Sequence, residues 1–125
     1  MARIEIAFDT ATLSVALRDT DTARRLAAAA PFSARVQTWG DEVYFDTPVD
    51  ADAEADARDV MTLGEVAFWL AGSCIAIGFG RTPVSRGNEI RLASPVNIWG
   101  DAEIDPDEMR RIRPGSTVRT TLRED

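Results

Sequence analysis

The segment CIAIGFGRTP, residues 74–83, places two glycines and a threonine directly after an apolar run. Loops of this kind cradle phosphates, because glycines let backbone N–H groups approach a pyrophosphate closely. A dinucleotide-binding loop needs a third glycine where this chain has Pro83, and a P-loop needs a lysine, which the chain lacks. The run also belongs to a predicted antiparallel hairpin, so we interpret Gly78 and Gly80 as residues that permit a bend and close packing.

Histidine is absent from the chain, and the 14 basic residues are all arginines. Nucleophilic pairs of the Ser-His or Cys-His kind are therefore excluded, as are histidine-rich zinc sites. Cys74 has no basic neighbour in sequence, which favours a packing role. Carboxylates remain for acid–base catalysis, and Glu42, Glu65 and Glu89 are candidates if burial perturbs them. We expect neither a metal ion nor a cofactor.

Polar and aromatic residues gather where the predicted hairpins end. Barrel mouths are common ligand sites, so we predict a site for a small molecule or peptide at one mouth, provided that the two hairpins are neighbours. The candidate residues are Trp39, Glu42, Tyr44, Phe79, Arg81, Pro83 and Asn97. Structural alternatives stand beside these roles: a core or rim aromatic for Trp39, a carboxylate-paired charge for Arg81, and a turn-satisfying amide for Asn97.

The net charge of −7 disfavours nucleic acid and anionic membranes as partners, since both attract basic surfaces. No apolar run approaches the roughly 18 to 20 residues that cross a bilayer. The start of the chain, MARIEIAFDT, lacks the apolar core of a signal peptide. A single cysteine fits a reducing compartment, and we predict a cytoplasmic protein that is a monomer or a homodimer.

An acidic stretch covers residues 47–58 and includes the run DADAEAD. Its spacing superficially resembles a calcium loop, but the glycine and the closing glutamate of an EF-hand are missing. We interpret it as a solvated loop, with a loose cation site as the alternative. The acidic surplus and the absence of lysine suit a halophilic host, and a GC-rich codon bias is the alternative explanation.

Alternation and capping signals predict a single domain over residues 1–125 that is mostly β, with one or two short helices. The predicted strands cover residues 4–8, 13–18, 34–39, 42–46, 59–62, 66–69, 74–78, 96–99 and 117–122, with a Gly40-Asp41 hairpin turn. One helix follows the capping oxygens of Asp19 to Thr22 and ends at Pro31, and a second opens at Asp105-Pro106. Eight or nine short strands indicate a closed antiparallel barrel or a sandwich.

The clearest hairpin joins residues 66–69 to 74–77 through the turn LAGS, in which Gly72 is expected to supply a positive φ. This register pairs Phe68 with Ile75 and puts Val66, Phe68, Ile75 and Ile77 on one core face. Trp69 then lies on the opposite face above small residues. We predict that the alanine-rich helix covers Trp69, with a second subunit as the alternative cover.

Four ordered segments resemble the small prokaryotic cyclophilin-like family: WGDEVYF (39–45), GEVAFW (64–69), FGRTPVS (79–85) and ASPVNIWG (93–100). The resemblance covers nearly the whole chain outside residues 50–56. It implies a cyclophilin-type closed, eight-stranded antiparallel barrel and, as for the family, no settled activity.

True cyclophilins isomerise prolyl peptide bonds with an arginine beside the amide, an apolar pocket, and supporting glutamine and histidine. This chain lacks their Phe-Met-x-Gln-Gly-Gly pattern and has no histidine, so Arg81 has no motif that assigns it that role. Fold alone does not transfer activity. We therefore expect a ligand-binding or non-catalytic role, with a divergent peptidyl-prolyl isomerase and a carboxylate-based enzyme as the alternatives.

The halophile interpretation makes a testable prediction. Acidic side chains repel one another most strongly at low ionic strength, where the Debye length reaches about 30 Å at about 0.01 M salt. The melting temperature should therefore rise as KCl is added up to molar concentration. An unchanged melting temperature would favour codon bias.

Overall fold

The structure, a computed structural model, describes residues 2–124. Its strands are β1 (Ala2–Ala7), β2 (Thr12–Leu17), β3 (Phe32–Arg35), β4 (Gln37–Thr38), β5 (Glu42–Asp46), β6 (Arg58–Met61), β7 (Glu65–Trp69), β8 (Cys74–Gly78), β9 (Ile90–Asp101) and β10 (Thr117–Glu124). Its helices are α1 (Asp21–Ala29) and α2 (Pro106–Arg110). Neither helix of the described chain has the length and apolar character that crossing a membrane requires.

All strands belong to one antiparallel sheet with the order β3-β10-β1-β2-β9-β7-β8-β5-β4, and β6 pairs with β9 beside this path. The two ends of the path, β3 and β4, are separated in sequence only by Val36. The sheet therefore curls into a nearly closed barrel, since its two outer strands are consecutive parts of one chain segment. With β3 and β4 taken as one bent strand, the path contains eight strands. The predicted barrel is confirmed.

The main core fills the barrel. Alternate residues of the strands point inward, and α1 adds Ala23 and Leu26, which are fully buried. The β7–β8 hairpin has the predicted register, with Phe68 opposite Ile75 and Trp69 opposite Cys74. The predicted core face is also confirmed, as all four of its side chains belong to this core: Val66, Phe68, Ile75 and Ile77.

A second, smaller core lies on the outer face of the same strands. Ala67 of β7 and Ala76 of β8 form its floor. Its cover comes from β6 and β9, through Met61, Ile90, Leu92, Val96 and Ile98. Every residue of β8 is therefore buried, because this strand has apolar neighbours on both faces.

The prediction that α1 covers Trp69 is wrong. Trp69 packs against the outer core, whereas Ala27 and Ala29 of α1 pack against the main core. Helix and indole thus lie on opposite sides of the barrel wall. Sequence periodicity indicated that Trp69 needed a cover, but the cover comes from β9, which is far from β7 along the chain.

The turn of the β7–β8 hairpin also differs from the prediction. Ser73, not Gly72, has the positive φ, at 52°. A Cβ at position 72 would collide with the six-membered ring of Trp69. Glycine is therefore required here by the close approach of the indole and not by backbone conformation.

β9 is much longer than the predicted strand over residues 96–99. On β6, Arg58 and Val60 both pair with β9 and are separated by one residue, Asp59. Their partners on β9, Val96 and Arg91, are separated by four residues, 92–95. The extra residues form a bulge, which explains how Pro95 fits inside a strand. The predicted strand began only at Val96, after Pro95, and the pairing with β6 extends it back to Ile90.

The acidic segment is not wholly solvated. Glu54 accepts hydrogen bonds from the Thr22 hydroxyl at 2.6 Å and the Thr22 backbone N–H at 3.2 Å, at the start of α1. The Glu54 backbone N–H donates to the amide oxygen of Asn97 at 2.9 Å. The segment is therefore tied to the helix and the barrel through Glu54. Within residues 2–124, no group of three or more acidic or cysteine side chains is placed to hold a metal ion.

One carboxylate joins several strands near the other end of β7. Glu65 receives two hydrogen bonds from Arg58, at 2.9 and 2.7 Å, one from Arg18 at 3.2 Å, and one from the Thr62 backbone. Arg18 also forms a two-bond pair with Asp101. The Arg58 hydrogen bonds are the largest cause that lowers the pKa of Glu65 to about 2.

Replacing Glu65 by glutamine should lower the free energy of unfolding by about 1–3 kcal/mol at neutral pH, because charge-assisted hydrogen bonds are lost. A carboxyl with a lowered pKa stabilises the fold above its ordinary pKa, here 4.5, and this contribution disappears as pH falls through about 2. Urea unfolding of both proteins at several pH values measures the difference, which should shrink towards acid.

Asp19→Asn is the matched control, since the Asp19 side chain is fully exposed and pairs only with Arg24 among the described residues. It should change stability by less than about 0.5 kcal/mol. If Glu65→Gln behaves like this control at neutral pH, the network contributes nothing to stability.

Candidate functional site

The β4–β5 hairpin holds Trp39 and Glu42 opposite each other. The Trp39 backbone N–H donates to the Glu42 carbonyl at 3.0 Å across a two-residue loop, and Gly40 in this loop has a φ of 59°. The tight turn predicted at Gly40-Asp41 is confirmed. Glycine suits it because left-handed backbone carries no steric cost there.

The glycine-rich segment 79–83 supports this turn. The Asp41 backbone N–H donates to the Arg81 carbonyl, and the Phe79 N–H donates to the Asp41 carbonyl, both at 2.8 Å. A Cβ at Gly40 would lie 2.9 Å from the Arg81 carbonyl oxygen, so the two loops touch. The segment thus has the packing role expected for its glycines.

A charged contact fixes the same turn to α2. Arg110 donates to both carboxylate oxygens of Asp41, at 3.0 and 3.3 Å, and its guanidinium lies 5.8 Å from the centre of the Phe79 ring. A Cβ at Gly80 would collide with the Asp41 carboxylate, so this glycine provides the space for it. Trp39 and Glu42 are therefore carried by a turn that is held from two sides.

A small cavity opens beside this turn on the outer face of the barrel wall. Its volume is about 130 Å³. It is lined by Trp39, Glu42, Tyr44, Trp69 and Ala93. Side-chain alternation along β5 explains the placement, because Val43 and Phe45 point into the main core while Glu42 and Tyr44 point outward.

Three aromatic side chains form the walls of the cavity. The rings of Tyr44 and Trp69 meet edge to face, with their centres 6.1 Å apart at 74°. The indole N–H of Trp69 donates to the Ser94 hydroxyl at 2.7 Å. Ser94 and the cavity residue Ala93 both lie in the β9 bulge, so the bulge orients one aromatic wall and closes the cavity beside it.

Glu42 is the charged group of the cavity. Only 5% of its surface is exposed, and within residues 2–124 nothing donates a hydrogen bond to its carboxylate. Burial raises the pKa of Glu42 from 4.5 to about 7. Its charge also contributes to the raised pKa values of Tyr44 and Cys74, for which burial is the largest cause. This carboxyl therefore gains or loses a proton near neutral pH.

The structure brings together only part of the predicted site. β5 and β8 are neighbours, as required, and Trp39, Glu42 and Tyr44 share the cavity. Phe79 is buried beneath Arg110, on the side away from this cavity. Arg81 and Pro83 are exposed and do not line it. The cavity also lies on the outer wall and not at a barrel mouth.

Asn97 has the structural role that was its alternative. It is fully buried and donates to the Thr22 hydroxyl at 3.0 Å and the Asp52 carbonyl at 2.8 Å, besides accepting from Glu54. Both the oxygen and the nitrogen of the Asn97 amide are hydrogen-bonded, and these bonds connect the acidic segment and α1 to β9. It is separated from the aromatic cavity by the barrel wall, since Val96 and Ile98 on either side of it point to the outer core.

Sequence reasoning missed Trp69 and Ala93 as cavity residues. The hairpin register correctly put Trp69 on the outer face of β7, with Cys74 opposite. Pairing of β5 with β8 then places Tyr44 opposite Ala76, within reach of the indole. The available signal was the small size of Cys74, Ala76 and Gly78, which leaves space for aromatic side chains from the strands on both sides.

Glu42→Gln should stabilise the protein under alkaline conditions. A folded-state pKa of about 7 against 4.5 means that the native state binds more protons in this window, so stability falls as pH rises through it. Above pH 7 the unpartnered charge costs up to about 3 kcal/mol. The variant should therefore be more stable than the parent by about 1–3 kcal/mol at about pH 8.5, and the difference should shrink at about pH 5.

Denaturant unfolding across this pH range measures the effect. Glu65→Gln is the matched control, because removing that carboxylate should destabilise the same fold at the same pH. A Glu42→Gln variant that is less stable than the parent at alkaline pH would show that the carboxylate has a partner.

Comparison with known proteins places the chain among described families. The cyclophilin-like family model matches residues 2–121. The solution structure of the hypothetical protein AF2241 from Archaeoglobus fulgidus is similar, with 34% sequence identity and a TM-score of 0.80, and the match covers 95% of this chain and 92% of AF2241. No protein of curated function matches.

The barrel also occurs in a more distant protein, McbB, whose structure was determined in complex with tryptophan. Here the identity is 15% and the TM-score 0.65; the match covers 94% of this chain but 44% of McbB, so the likeness concerns the fold. The family match spans nearly the whole described chain, and AF2241 agrees with it over the same length. The chain belongs to the cyclophilin-like family.

Proposed function

We propose that this protein binds a small ligand, or one side chain of a peptide, in the cavity beside the β4–β5 turn. The observation that carries the proposal is the Glu42 carboxyl, which is buried, faces the cavity and has no partner among residues 2–124. Buried carboxyl groups are normally paired or hydrogen-bonded, because leaving them unpaired is costly. A group kept in this state without a structural partner marks a functional site.

The walls of the cavity support a binding role. Tyr44 and Trp69 are each half-buried, so their rings combine a packed edge with an accessible surface. Aromatic rings offer large contact areas at low cost in conformational entropy. The hydrogen bond from Trp69 to Ser94 and the supported turn under Trp39 hold these walls in place before any ligand arrives, and such preorganisation lowers the free-energy cost of binding.

The size of the cavity limits what it can accept. Pockets for drug-sized ligands measure about 300–1,000 Å³, whereas this cavity measures about 130 Å³. A group of a few non-hydrogen atoms therefore fits inside, and any larger ligand extends into solvent. A peptide would insert one side chain or its terminus.

The geometry gives less support to the isomerase alternative. The cyclophilin reaction uses an arginine beside the prolyl amide, and the Arg81 side chain is exposed and outside the lining of the cavity. Of the three carboxylates considered for an acid–base enzyme, one remains a candidate. Glu65 and Glu89 have lowered pKa values because arginines donate to them, whereas Glu42 has a raised pKa. If the protein catalyses a proton transfer, Glu42 is the group that performs it.

Ligand binding can be detected through the three tryptophans. A ligand from a panel of small cationic, neutral and anionic compounds should shift the indole N–H signals of Trp39 and Trp69 in NMR spectra. The indole of Trp99 should not shift, because it is fully buried in the main core and donates to the Ala67 carbonyl. Trp39→Ala should weaken binding at least about tenfold, a loss of about 1.4 kcal/mol.

Arg81→Ala is the control for this experiment, since its side chain is exposed away from the cavity and its loss should leave the affinity unchanged. The proposal fails if no compound of the panel shifts Trp39 or Trp69. It also fails if Arg81→Ala weakens binding as much as Trp39→Ala.

A further inference from the structure

The chemistry of the cavity specifies a charge for its ligand. Its one carboxyl group belongs to Glu42, and Trp39, Tyr44 and Trp69 provide the aromatic surface of the lining. No arginine contributes to the lining formed by the described residues. Resting on the binding function proposed above, we infer that the ligand is a small organic ammonium ion that presents its N–H donors to Glu42 and its carbon chain to the aromatic walls.

The unpaired carboxylate of Glu42 favours a cationic ligand. An ionised carboxylate that is largely removed from water and has no partner is unfavourable, and a cation with N–H donors relieves this cost through charge-assisted hydrogen bonds. Elsewhere in this protein a partly buried carboxylate is paired with arginine, since Arg58 and Arg18 both pair with Glu65. Glu42 lacks such an internal cation, so a ligand cation fills the equivalent place.

The aromatic walls of the cavity favour the same charge in the ligand. Ring faces carry negative electrostatic potential and attract cations within about 6 Å of the ring centre. The protein already uses this contact between Arg110 and Phe79, at 5.8 Å. In the cavity three aromatic side chains line the same space as the Glu42 carboxyl, so a positive group bound to Glu42 lies close to aromatic rings.

The neighbouring charges do not offer an alternative partner. On β5 the next outward carboxylate is Asp46, which accepts a hydrogen bond from the Cys74 thiol of β8. On β9 the charged residue nearest the bulge is Arg91, which is paired with Glu89 and Asp59. On β7 the charged residue is Glu65, already held by arginines. An anionic ligand would therefore meet the Glu42 carboxylate with no unpaired cation among these neighbours, and the net charge of −7 further favours a cation.

Three probes of matched shape test the inference: butylammonium, 1-butanol and butyrate. At about pH 8, where Glu42 is ionised, butylammonium should bind at least about tenfold more tightly than butanol, and butyrate should not bind. The readout is again the indole N–H shift of Trp39 and Trp69. In Glu42→Gln, butylammonium should lose this advantage over butanol.

The unmodified protein provides a second, independent measurement. Ammonium affinity should weaken about tenfold from about pH 8 to about pH 6, as Glu42 takes up its proton, while butanol affinity stays constant. Because this series needs no variant, it remains decisive if Glu42→Gln does not fold. Equal affinities of butylammonium and butanol at both pH values would overturn the inference.

The remaining outcomes separate the two proposals and the two sources of such a cation. If butanol shifts Trp39 and Trp69 more than butylammonium does, the ammonium inference fails and the binding function stands. If neither these probes nor the wider panel shifts the Trp39 and Trp69 signals, both proposals fail.

A capped glycyl-lysyl-glycine peptide, compared with its norleucine counterpart, tests a lysine side chain as the source of the ammonium group. Tighter binding of the lysine peptide than of butylammonium assigns the site to a peptide, and the reverse assigns it to a free amine.

Discussion

The architecture depends on one constraint, that the strands β7 and β8 must bury side chains on both of their faces. Inward side chains such as Phe68 and Ile75 fill the barrel, and outward side chains such as Ala76 belong to a second core. A sheet face with apolar residues needs a cover. α1 packs against the main core, so β6 and the first half of β9 cover the outer face of these strands. The aromatic cavity lies at the edge of this cover, where β9 bulges.

Two glutamates of the same chain show how environment decides the role of a carboxyl. Glu65 is paired with Arg58 and Arg18, and its pKa falls to about 2. Glu42 is buried without a cation, and its pKa rises to about 7. The first arrangement ties strands together and stabilises the fold. The second costs stability above neutral pH, and we interpret that cost as the consequence of keeping a charge available to a ligand.

Membership of the cyclophilin-like family indicates the fold but does not specify an activity. AF2241 shares the fold at 34% identity, while McbB shares it at 15% in a chain of more than twice the matched length. One barrel thus occurs in proteins of different size and context, which agrees with the general rule that function depends on sites added to folds. In this chain Glu42 and its aromatic neighbours support the proposed function, and the fold by itself does not.

Local patterns in the sequence were enough to place most of the helices and strands and to predict two hairpins. Period-two alternation and a four-residue turn give the β7–β8 register, and the capping residues Thr20 and Asp105 precede the two helices. These signals act between residues that are close along the chain, so the sequence alone determines them. The same is true of the Gly40-Asp41 turn, and therefore of the pairing of Trp39 with Glu42 across it.

The site itself was decided by contacts between distant segments. Three carboxylates were candidates in the sequence, and only the tertiary structure leaves Glu42 buried without an arginine. Asn97 was expected beside it, but strand pairing turns its side chain to the opposite face of the wall. The sequence determined where most of the strands lie and which side chains of a strand share a face. Only the tertiary structure decided which faces meet, because burial and charge pairing depend on neighbours that no local pattern specifies.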